Sequence, residues 1–131
     1  MSITMEPIGF VCSSFKDKED IIGSNTTNAL ATIRVDKRFA EGIADIKPGD
    51  RMMVVFYFDR STEALLTVPL MGTGPMVGVF SSHSPTRPNF IGITESTVEA
   101  VEGLNISIRG CDMLDGTPVL DLKPVPTKAE R

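Results

Sequence analysis

The chain has 131 residues, of which 41% are hydrophobic and 23% are charged, and it carries a formal net charge of −4. This length and composition suit one globular domain with a single modest core, so we expect residues 1–131 to fold as one unit. The acidic charge argues against a broad nucleic-acid-binding surface, which is normally basic.

The chain also lacks the sequence features of membrane insertion and of export. No apolar run approaches the ~18 residues that a membrane helix needs, and the N-terminus lacks the basic and apolar regions of a signal peptide. The two cysteines, Cys12 and Cys111, are too few for a disulfide framework, and we expect both to be reduced. These observations predict a cytoplasmic domain with no membrane contact.

The first half of the chain is expected to supply three strands and a short helix. A first strand is predicted over residues 3–15, and the polar stretch 13–28 is expected to be a surface loop. Residues 29–35 alternate like a half-buried strand, whereas 52–58 are continuously apolar and typical of a buried central strand. Between these two, residues 38–46 carry apolar side chains at helical spacing, which predicts the short helix.

The second half is expected to consist of strands joined by turns. The predicted strands are 65–70, 76–80, 93–101, 104–109 and 119–122. Gly103 and the Asp-Gly pair at 115–116 lie between apolar runs, so we expect a hairpin at each. Short strands at regular spacing without a βαβ rhythm predict an all-β barrel or sandwich of about seven strands with one short helix.

One loop, residues 78–92, differs from ordinary core-building sequence. Its nine central residues hold three serines, two prolines and the only histidine of the chain, His83, together with Arg87 and Asn89. The prolines fix their own φ and favour extended backbone before them, so the loop should be stiff. Loops held by a rigid scaffold commonly carry binding groups, which makes this loop a candidate site.

Several common kinds of catalytic site find little support in the sequence. A Ser-His-Asp arrangement would need His83 with Asp115 or Asp121, and no Gly-x-Ser-x-Gly elbow is present. A zinc site would have to combine His83, Cys12 and Cys111 with carboxylates, and these residues lack the close paired spacing of zinc ligands. The glycine-rich motifs that hold dinucleotides or phosphates are also absent.

Two segments of the chain together match a known pair of motifs. In the 78–92 loop the matching positions are Gly78, Val79, Phe80, Ser84, Pro85, Arg87, Pro88, Asn89, Ile91 and Gly92. Residues 114–124 match the second motif at every position except Leu122, although alone they would indicate only a tight turn and a terminal strand. The pair resembles the signature of the TsaA-like, or TrmO, family of S-adenosylmethionine-dependent tRNA methyltransferases.

The resemblance implies a compact β-barrel that forms a homodimer and binds S-adenosylmethionine without a Rossmann domain. The implied reaction is methyl transfer to the exocyclic nitrogen of threonylcarbamoyladenosine beside the tRNA anticodon, which makes tRNA the implied partner. In such an in-line displacement the protein has mainly to align the acceptor nitrogen with the methyl group.

The resemblance also implies a set of cofactor contacts. The cofactor needs polar partners for its hydroxyls and carboxylate and a slot for its adenine. Asp115 with the amides of Gly116 and Thr117 would supply polar contacts, and Pro118 and Ile93 would form apolar walls. Three further residues fall where the family contacts the cofactor with other side chains: Asp59, Arg60 and His83.

Arg87 and Asn89 are the catalytic residues that the resemblance implies, and Arg87 either orients the loop or meets the substrate. A general base for the acceptor nitrogen is not singled out, since Asp59, Asp115 and Asp121 all remain candidates.

The chain departs from the family pattern in three places. Residues 22–24 stand where the family has Pro-Arg-Gln, and Phe90 replaces a proline. Longer members carry a C-terminal domain that helps to hold tRNA, and this chain stops soon after the second motif. A methyltransferase acting on a small substrate, or a non-catalytic module that binds S-adenosylmethionine or another nucleoside, is therefore the alternative function.

Overall fold

The computed structural model describes residues 1–127. Its strands are β1 (Gly9–Cys12), β2 (Leu30–Val35), β3 (Arg51–Tyr57), β4 (Thr67–Pro69), β5 (Met76–Gly78), β6 (Ile91–Glu102), β7 (Asn105–Arg109) and β8 (Pro118–Pro124). One α-helix, α1, spans Lys18–Ile21, and short 3-10 helices span Lys37–Ile43, Leu70–Gly72, Val79–Ser81 and Pro88–Phe90.

Six strands close into an antiparallel barrel in the order β1-β2-β7-β6-β3-β8, and β4 pairs with β5 in a separate two-stranded sheet. The predicted all-β fold with few helices is thereby confirmed. Period-two alternation builds the core, as in β3, where Met52, Val54 and Phe56 point inward and are at most 6% exposed. The helices of the described part of the chain are too short or too polar to cross a bilayer.

The helix predicted over residues 38–46 is present at nearly that position, but it is a 3-10 helix and not an α-helix. Residues 37–43 form a 3-10 helix that is interrupted at Phe39, where φ is −110° and ψ is 15°. The only α-helical turn among the described residues, α1, lies inside the predicted 13–28 loop. It begins there because the Asp20 carboxylate accepts hydrogen bonds from the amides of Lys16 and Asp17, at 2.9 and 3.1 Å.

The hairpin predicted at 115–116 was also wrong. β8 pairs with β1 and β3, not with β7. The connection from β7 to β8 instead crosses the barrel past β2 and β1, since the amides of Gly110 and Gly116 donate to the carbonyls of Ala29 and Val11, at 2.9 and 2.7 Å. The hairpin predicted at Gly103 is confirmed by the pairing of β6 with β7.

This antiparallel arrangement brings several loops to one end of the barrel. β1, β3 and β7 end there, and β2, β6 and β8 begin there, as their registers require. The loops after β1 and β3, the 78–92 loop and the β7–β8 connection therefore meet at this end.

Candidate active site

Two adjoining cavities lie where these loops meet. The first, here called the Arg60 cavity, has a volume of about 450 Å³ and is lined by residues that include Asp59, Arg60 and Thr117. The second, the His83 cavity, has a volume of about 590 Å³ and is lined by residues that include His83, Arg87 and Ile93. Both cavities have Phe56, Phe58 and Asp112 on their walls, so these three residues mark the junction.

The aromatic part of this junction depends on a glycine. The rings of Phe56 and Phe58 pack edge to face, with centroids 4.9 Å apart and planes at 73°. Gly92 lies opposite Phe56 in the β3–β6 register, and a Cβ atom there would lie 2.4 Å from Cζ of Phe56. Gly92 therefore leaves the space in which both rings lie.

The turn at 115–117 is tied to the segment after β1 by main-chain hydrogen bonds. The amide of Asp115 donates to the carbonyl of Phe15, and the amide of Gly116 donates to that of Val11, each at 2.7 Å. The amide of Thr117 donates to the Leu114 carbonyl at 3.1 Å. The amides of Gly116 and Thr117, expected from the family resemblance to contact the cofactor, thus both have partners within the chain in this structure.

The Asp115 side chain points away from the two cavities. Its carboxylate accepts hydrogen bonds from the Ser13 amide at 3.0 Å and from Lys16 Nζ at 2.7 Å. Those bonds, the one from Lys16 above all, lower the pKa of Asp115. The side chain lines a third cleft beside β2, of about 1030 Å³, and neither Gly116 nor Pro118 lines the Arg60 or the His83 cavity.

Arg60 links the turn to the end of β3. Its guanidinium Nη2 donates to the main-chain carbonyl of Asp115. A Cβ atom on Gly116 would lie 3.4 Å from the same nitrogen, so the guanidinium lies against the turn. Asp59 precedes it in the wall of the Arg60 cavity and is exposed. The Asp59 carboxylate and the Arg60 guanidinium thus lie on the same side of the Arg60 cavity.

The 78–92 loop is braced internally and contributes to both cavities. Arg87 Nη1 donates to the carbonyls of Ser82 and Ser84, at 2.8 and 3.3 Å. The hydroxyls of Ser84 and Thr86 are 2.7 Å apart, and the Leu65 amide donates to the Thr86 carbonyl at 3.0 Å. Arg87 therefore orients the loop while its side chain also lines the His83 cavity.

Asn89 is placed apart from both cavities. It sits in the 88–90 turn with φ of 65°, in the left-handed region that Asn tolerates better than most residues. The neighbouring Phe90 carbonyl accepts the Phe58 amide at 2.8 Å, which fastens the turn to the end of β3. In this structure Asn89 is exposed and shapes the turn through its backbone conformation, and its catalytic role stays a prediction.

The structure also separates the residues of the other sites weighed from the sequence. His83 and Asp115 line different cavities, and Asp121 lines a further cavity of about 300 Å³ with Ile8 and Phe39. A histidine–aspartate pair is therefore not assembled, and Asp121 is not positioned as a base for either cavity at the junction.

No disulfide links the two cysteines, which are both free. Burial raises the pKa of the Cys111 thiol to about 11. Within residues 1–127, no three His, Cys, Asp or Glu side chains are grouped as a metal ion would need.

Three wall residues at the junction were not predicted as site residues from the sequence. Phe56 and Phe58 belong to an apolar strand, where a core role is the ordinary expectation. Asp112 lies two residues before the second motif, and only the crossing of the β7–β8 connection brings it to both cavities. No signal in the sequence predicted that crossing.

The sequence was compared with known protein families and with individual proteins. The model of the TrmO family, described as "tRNA-methyltransferase O N-terminal domain", matches residues 10–130. The chain belongs to the TrmO N-terminal domain family. The family resemblance of the two motifs is thereby confirmed.

Relatives of this TrmO domain have two kinds of name. A "Probable S-adenosyl-L-methionine-binding protein" of Pyrococcus abyssi is 36% identical over 95% of this chain and 68% of that protein. An "S-adenosyl-L-methionine-binding protein" of Archaeoglobus fulgidus is 32% identical over 91% of this chain and 86% of its own length. The human "tRNA (adenine(37)-N6)-methyltransferase" is 34% identical, over 94% of this chain and 30% of that enzyme.

Solved TrmO structures have the same fold. A crystal structure of TrmO superposes with a TM-score of 0.81 at 29% identity and covers 96% of this chain. TrmO from Pseudomonas aeruginosa gives a TM-score of 0.77 at 28% identity. The chain spans 58% and 57% of those two crystallised chains.

Proposed function

We propose that this TrmO domain binds S-adenosylmethionine at the junction of the Arg60 and His83 cavities and transfers its methyl group to N6 of threonylcarbamoyladenosine in tRNA. The observation that carries the proposal is the position of the candidate residues. Asp59, Arg60 and Thr117 line one cavity, and His83, Arg87 and Ile93 line the cavity that adjoins it. Two adjoining cavities suit a reaction between a cofactor and an acceptor.

The side chains at the junction fit the chemistry of the cofactor. Phe58, Met113 and Leu114 give the Arg60 cavity apolar surface of the kind that adenine requires. Lys18 and Arg60 carry the positive charge that suits a carboxylate, and Asp59 offers oxygens for hydroxyls or an ammonium group. Phenylalanine rings such as Phe56 and Phe58 also attract a sulfonium cation through their π-systems.

When bound, S-adenosylmethionine would supply the methyl group from its positively charged sulfur. The sulfur would keep the electron pair of the S–CH₃ bond. The chain's own residues hold the acceptor and shape the site. Arg87 fixes the course of the 82–86 backbone through its two carbonyl contacts, so the wall of the His83 cavity keeps one shape. Such prior alignment is the main contribution that a protein makes to an in-line displacement.

The tRNA substrate is supported by relatives that are named tRNA (adenine(37)-N6)-methyltransferases. A tRNA substrate would also place the protein in the cytoplasm. To test it, the chain is incubated with methyl-labelled S-adenosylmethionine and bulk tRNA, and the tRNA is digested to nucleosides. Label is expected in one threonylcarbamoyl derivative of adenosine. Measurable cofactor binding without labelled tRNA would contradict the proposed substrate.

A non-catalytic S-adenosylmethionine-binding domain, or a methyltransferase for a small molecule, is the second candidate. The net charge of −4 favours it, because contact with RNA phosphates needs basic side chains. The two candidate functions predict different tRNA binding and a different dependence of that binding on salt. Binding to tRNA that weakens steeply with added salt supports the first, and cofactor binding with no tRNA affinity at low salt supports the second.

We also propose that the domain forms a homodimer through the surface around the β4–β5 sheet. Large apolar side chains are exposed there, with Leu66, Met71 and Phe80 each at least 72% exposed. Exposed apolar patches of this kind mark interaction surfaces. Because Phe80 also lines the His83 cavity, a second copy would cover part of the site.

The dimer is tested by light scattering after size-exclusion chromatography. The wild-type chain is expected to elute as a dimer and the Leu66→Glu variant as a monomer. Leu30→Glu, at a leucine on β2 of similar exposure, is the matched control and should remain dimeric. A monomeric wild-type chain would contradict the proposal.

A further inference from the structure

We propose that Asp112 is the catalytic residue that accepts the proton of the acceptor nitrogen, an inference that rests on the proposed methyl transfer. Of the carboxylates around the two cavities, Asp59 and Glu63 line only the Arg60 cavity, and Glu95 lines only the His83 cavity. Asp112 lines both. It is thus the carboxylate at the place where a cofactor in one cavity would meet an acceptor in the other.

The other carboxylates are less suited to this role. Glu95 is held by Arg51, whose Nη2 lies 3.1 Å from its Oε2. Asp115 is held by Lys16 and the Ser13 amide and faces another cleft. An acid whose charged form is already stabilised by a cation is a weaker proton acceptor.

The backbone on either side of Asp112 is fixed by burial. Cys111 and Met113 are each 1% exposed, and the Met113 amide donates to Cys111 Sγ at 3.4 Å. The Cys111 amide donates to the Thr26 carbonyl at 2.9 Å. Because both neighbours point into the barrel, the Asp112 side chain is presented outward, at the junction. A reactive group on a rigid support keeps its position through the reaction.

A hydrogen bond also orients the Asp112 carboxylate. The Thr94 hydroxyl donates to Oδ1 of Asp112 at 2.5 Å. Among residues 1–127 this carboxylate accepts no other side-chain or main-chain hydrogen bond, so Oδ2 is open to a donor in the cavities. A carboxylate held through one oxygen can accept a hydrogen bond from an N–H group through the other.

The chemistry of the transfer requires such an acceptor. The acceptor nitrogen carries one hydrogen and forms the new N–CH₃ bond with its lone pair, as the S–CH₃ bond breaks. The nitrogen would then bear a positive charge, which it loses by giving its proton to a base. Asp112 takes that proton on Oδ2, and the nitrogen ends neutral and methylated.

The test compares Asp112→Asn with the wild-type chain. Asparagine keeps the size of the side chain and an oxygen for the Thr94 hydroxyl, but its amide cannot take up the proton. We expect kcat for methyl transfer to bulk tRNA to fall at least ~100-fold, the usual contribution of a positioned acid or base. The Kd for S-adenosylmethionine, measured by calorimetry, and the thermal unfolding temperature are expected to stay at their wild-type values.

Asp45→Asn is the matched control, since Asp45 is exposed and lines neither cavity. It should leave kcat and Kd unchanged. If Asp112→Asn has the same kcat as the wild-type chain, the inference is overturned and the proposed function stays intact. Loss of cofactor binding in that variant would also overturn it, because Asp112 would then be a cofactor ligand. A wild-type chain that binds the cofactor but labels no tRNA would overturn the proposed function and this inference together.

Discussion

Gly92 faces Phe56 across the β3–β6 pair with no room for a side chain between them, since a Cβ atom would lie 2.4 Å from Cζ of the ring. The same atom would lie 2.8 Å from Cζ of Phe58. We predict that Gly92→Ala lowers the free energy of unfolding by about 1–3 kcal/mol, because the rings must shift in a packed region. It should also weaken S-adenosylmethionine binding. Urea unfolding and calorimetry measure the two effects.

Gly78→Ala is the control for this prediction. Gly78 has a φ of −61°, and a Cβ atom there would have no neighbour within 4 Å. We expect its stability to stay within about 0.5 kcal/mol of the wild type, as for most surface substitutions. Equal free energies of unfolding for the Gly92→Ala and Gly78→Ala variants would contradict the prediction, because the close approach of Gly92 to Phe56 would then have no effect on stability.

The ion pair of Lys16 with Asp115 predicts a pH-dependent contribution to stability. The hydrogen bonds from Lys16 and the Ser13 amide lower the pKa of Asp115 in the folded state. The stabilisation is therefore present above the unfolded value of ~3.9 and is lost as the pH falls through the lower folded value. Asp115→Asn should be less stable than the wild type at pH 7, and the difference should shrink near pH 3.

This pH dependence is measured by urea unfolding of both chains across the acid range. The effect should be modest, since the Lys16 side chain is 67% exposed and solvent screens the pair. A difference that stays constant down to the lowest pH would mean that the substitution acts through something other than the charge of Asp115.

Cys111 should be chemically inert in the folded protein. Burial raises the pKa of its thiol to about 11, whereas a free thiol titrates near ~8.5. We predict that iodoacetamide at about pH 8.5 modifies Cys12 before Cys111, and that Cys111 reacts only when urea unfolds the chain. Peptide mass spectrometry distinguishes the two sites. Equal rates in the native chain would contradict the burial of Cys111.

The same shift gives a loss of stability at alkaline pH. Because the folded pKa is raised, the contribution is fully present below the ordinary thiol value and is lost as the pH rises towards about 11. A Cys111→Ser variant should lack this part of the alkaline decline.

Arg87→Lys should loosen the 78–92 loop. Arginine donates to the carbonyls of Ser82 and Ser84 at once, and an ammonium group does not reproduce that planar geometry. We expect stability to fall by about 1–2 kcal/mol and the amides of residues 82–86 to exchange faster with deuterium. Arg34→Lys, on the exposed face of β2, is the control and should change neither quantity. Unchanged exchange in Arg87→Lys would contradict the bracing role.

The strands could be predicted where a local pattern decides them. β2, β3 and β7 start and end within one residue of the predicted bounds because alternation or continuous apolar character marks a strand directly. Barrel closure and the crossing from β7 to β8 depend on contacts between distant segments, such as Gly116 with Val11, which no local pattern records. The Asp-Gly pair correctly indicated a turn at 115–116. Which strands pair on either side of that turn depends on the rest of the fold.

The candidate site was predictable at the level of segments and less so at the level of single residues. The two motifs do approach the same end of the barrel, but Asp115 lines another cleft and Asn89 lines neither of the two cavities. Sequence alone gives the residue types and their order, whereas the direction of a side chain in a turn depends on φ values and hydrogen bonds. Asp112 shows the converse, since its position comes from the crossing of the β7–β8 connection, the burial of its two neighbours and a hydrogen bond from Thr94.

The 115–117 turn is held by main-chain hydrogen bonds to the segment that follows β1. Its shape therefore depends little on which side chains stand on the facing rims of the cavities. Selection can replace residues such as Asp59 or His83 one at a time without removing the hydrogen bonds that hold this turn in place. In such a domain, substrate range can diverge faster than the fold.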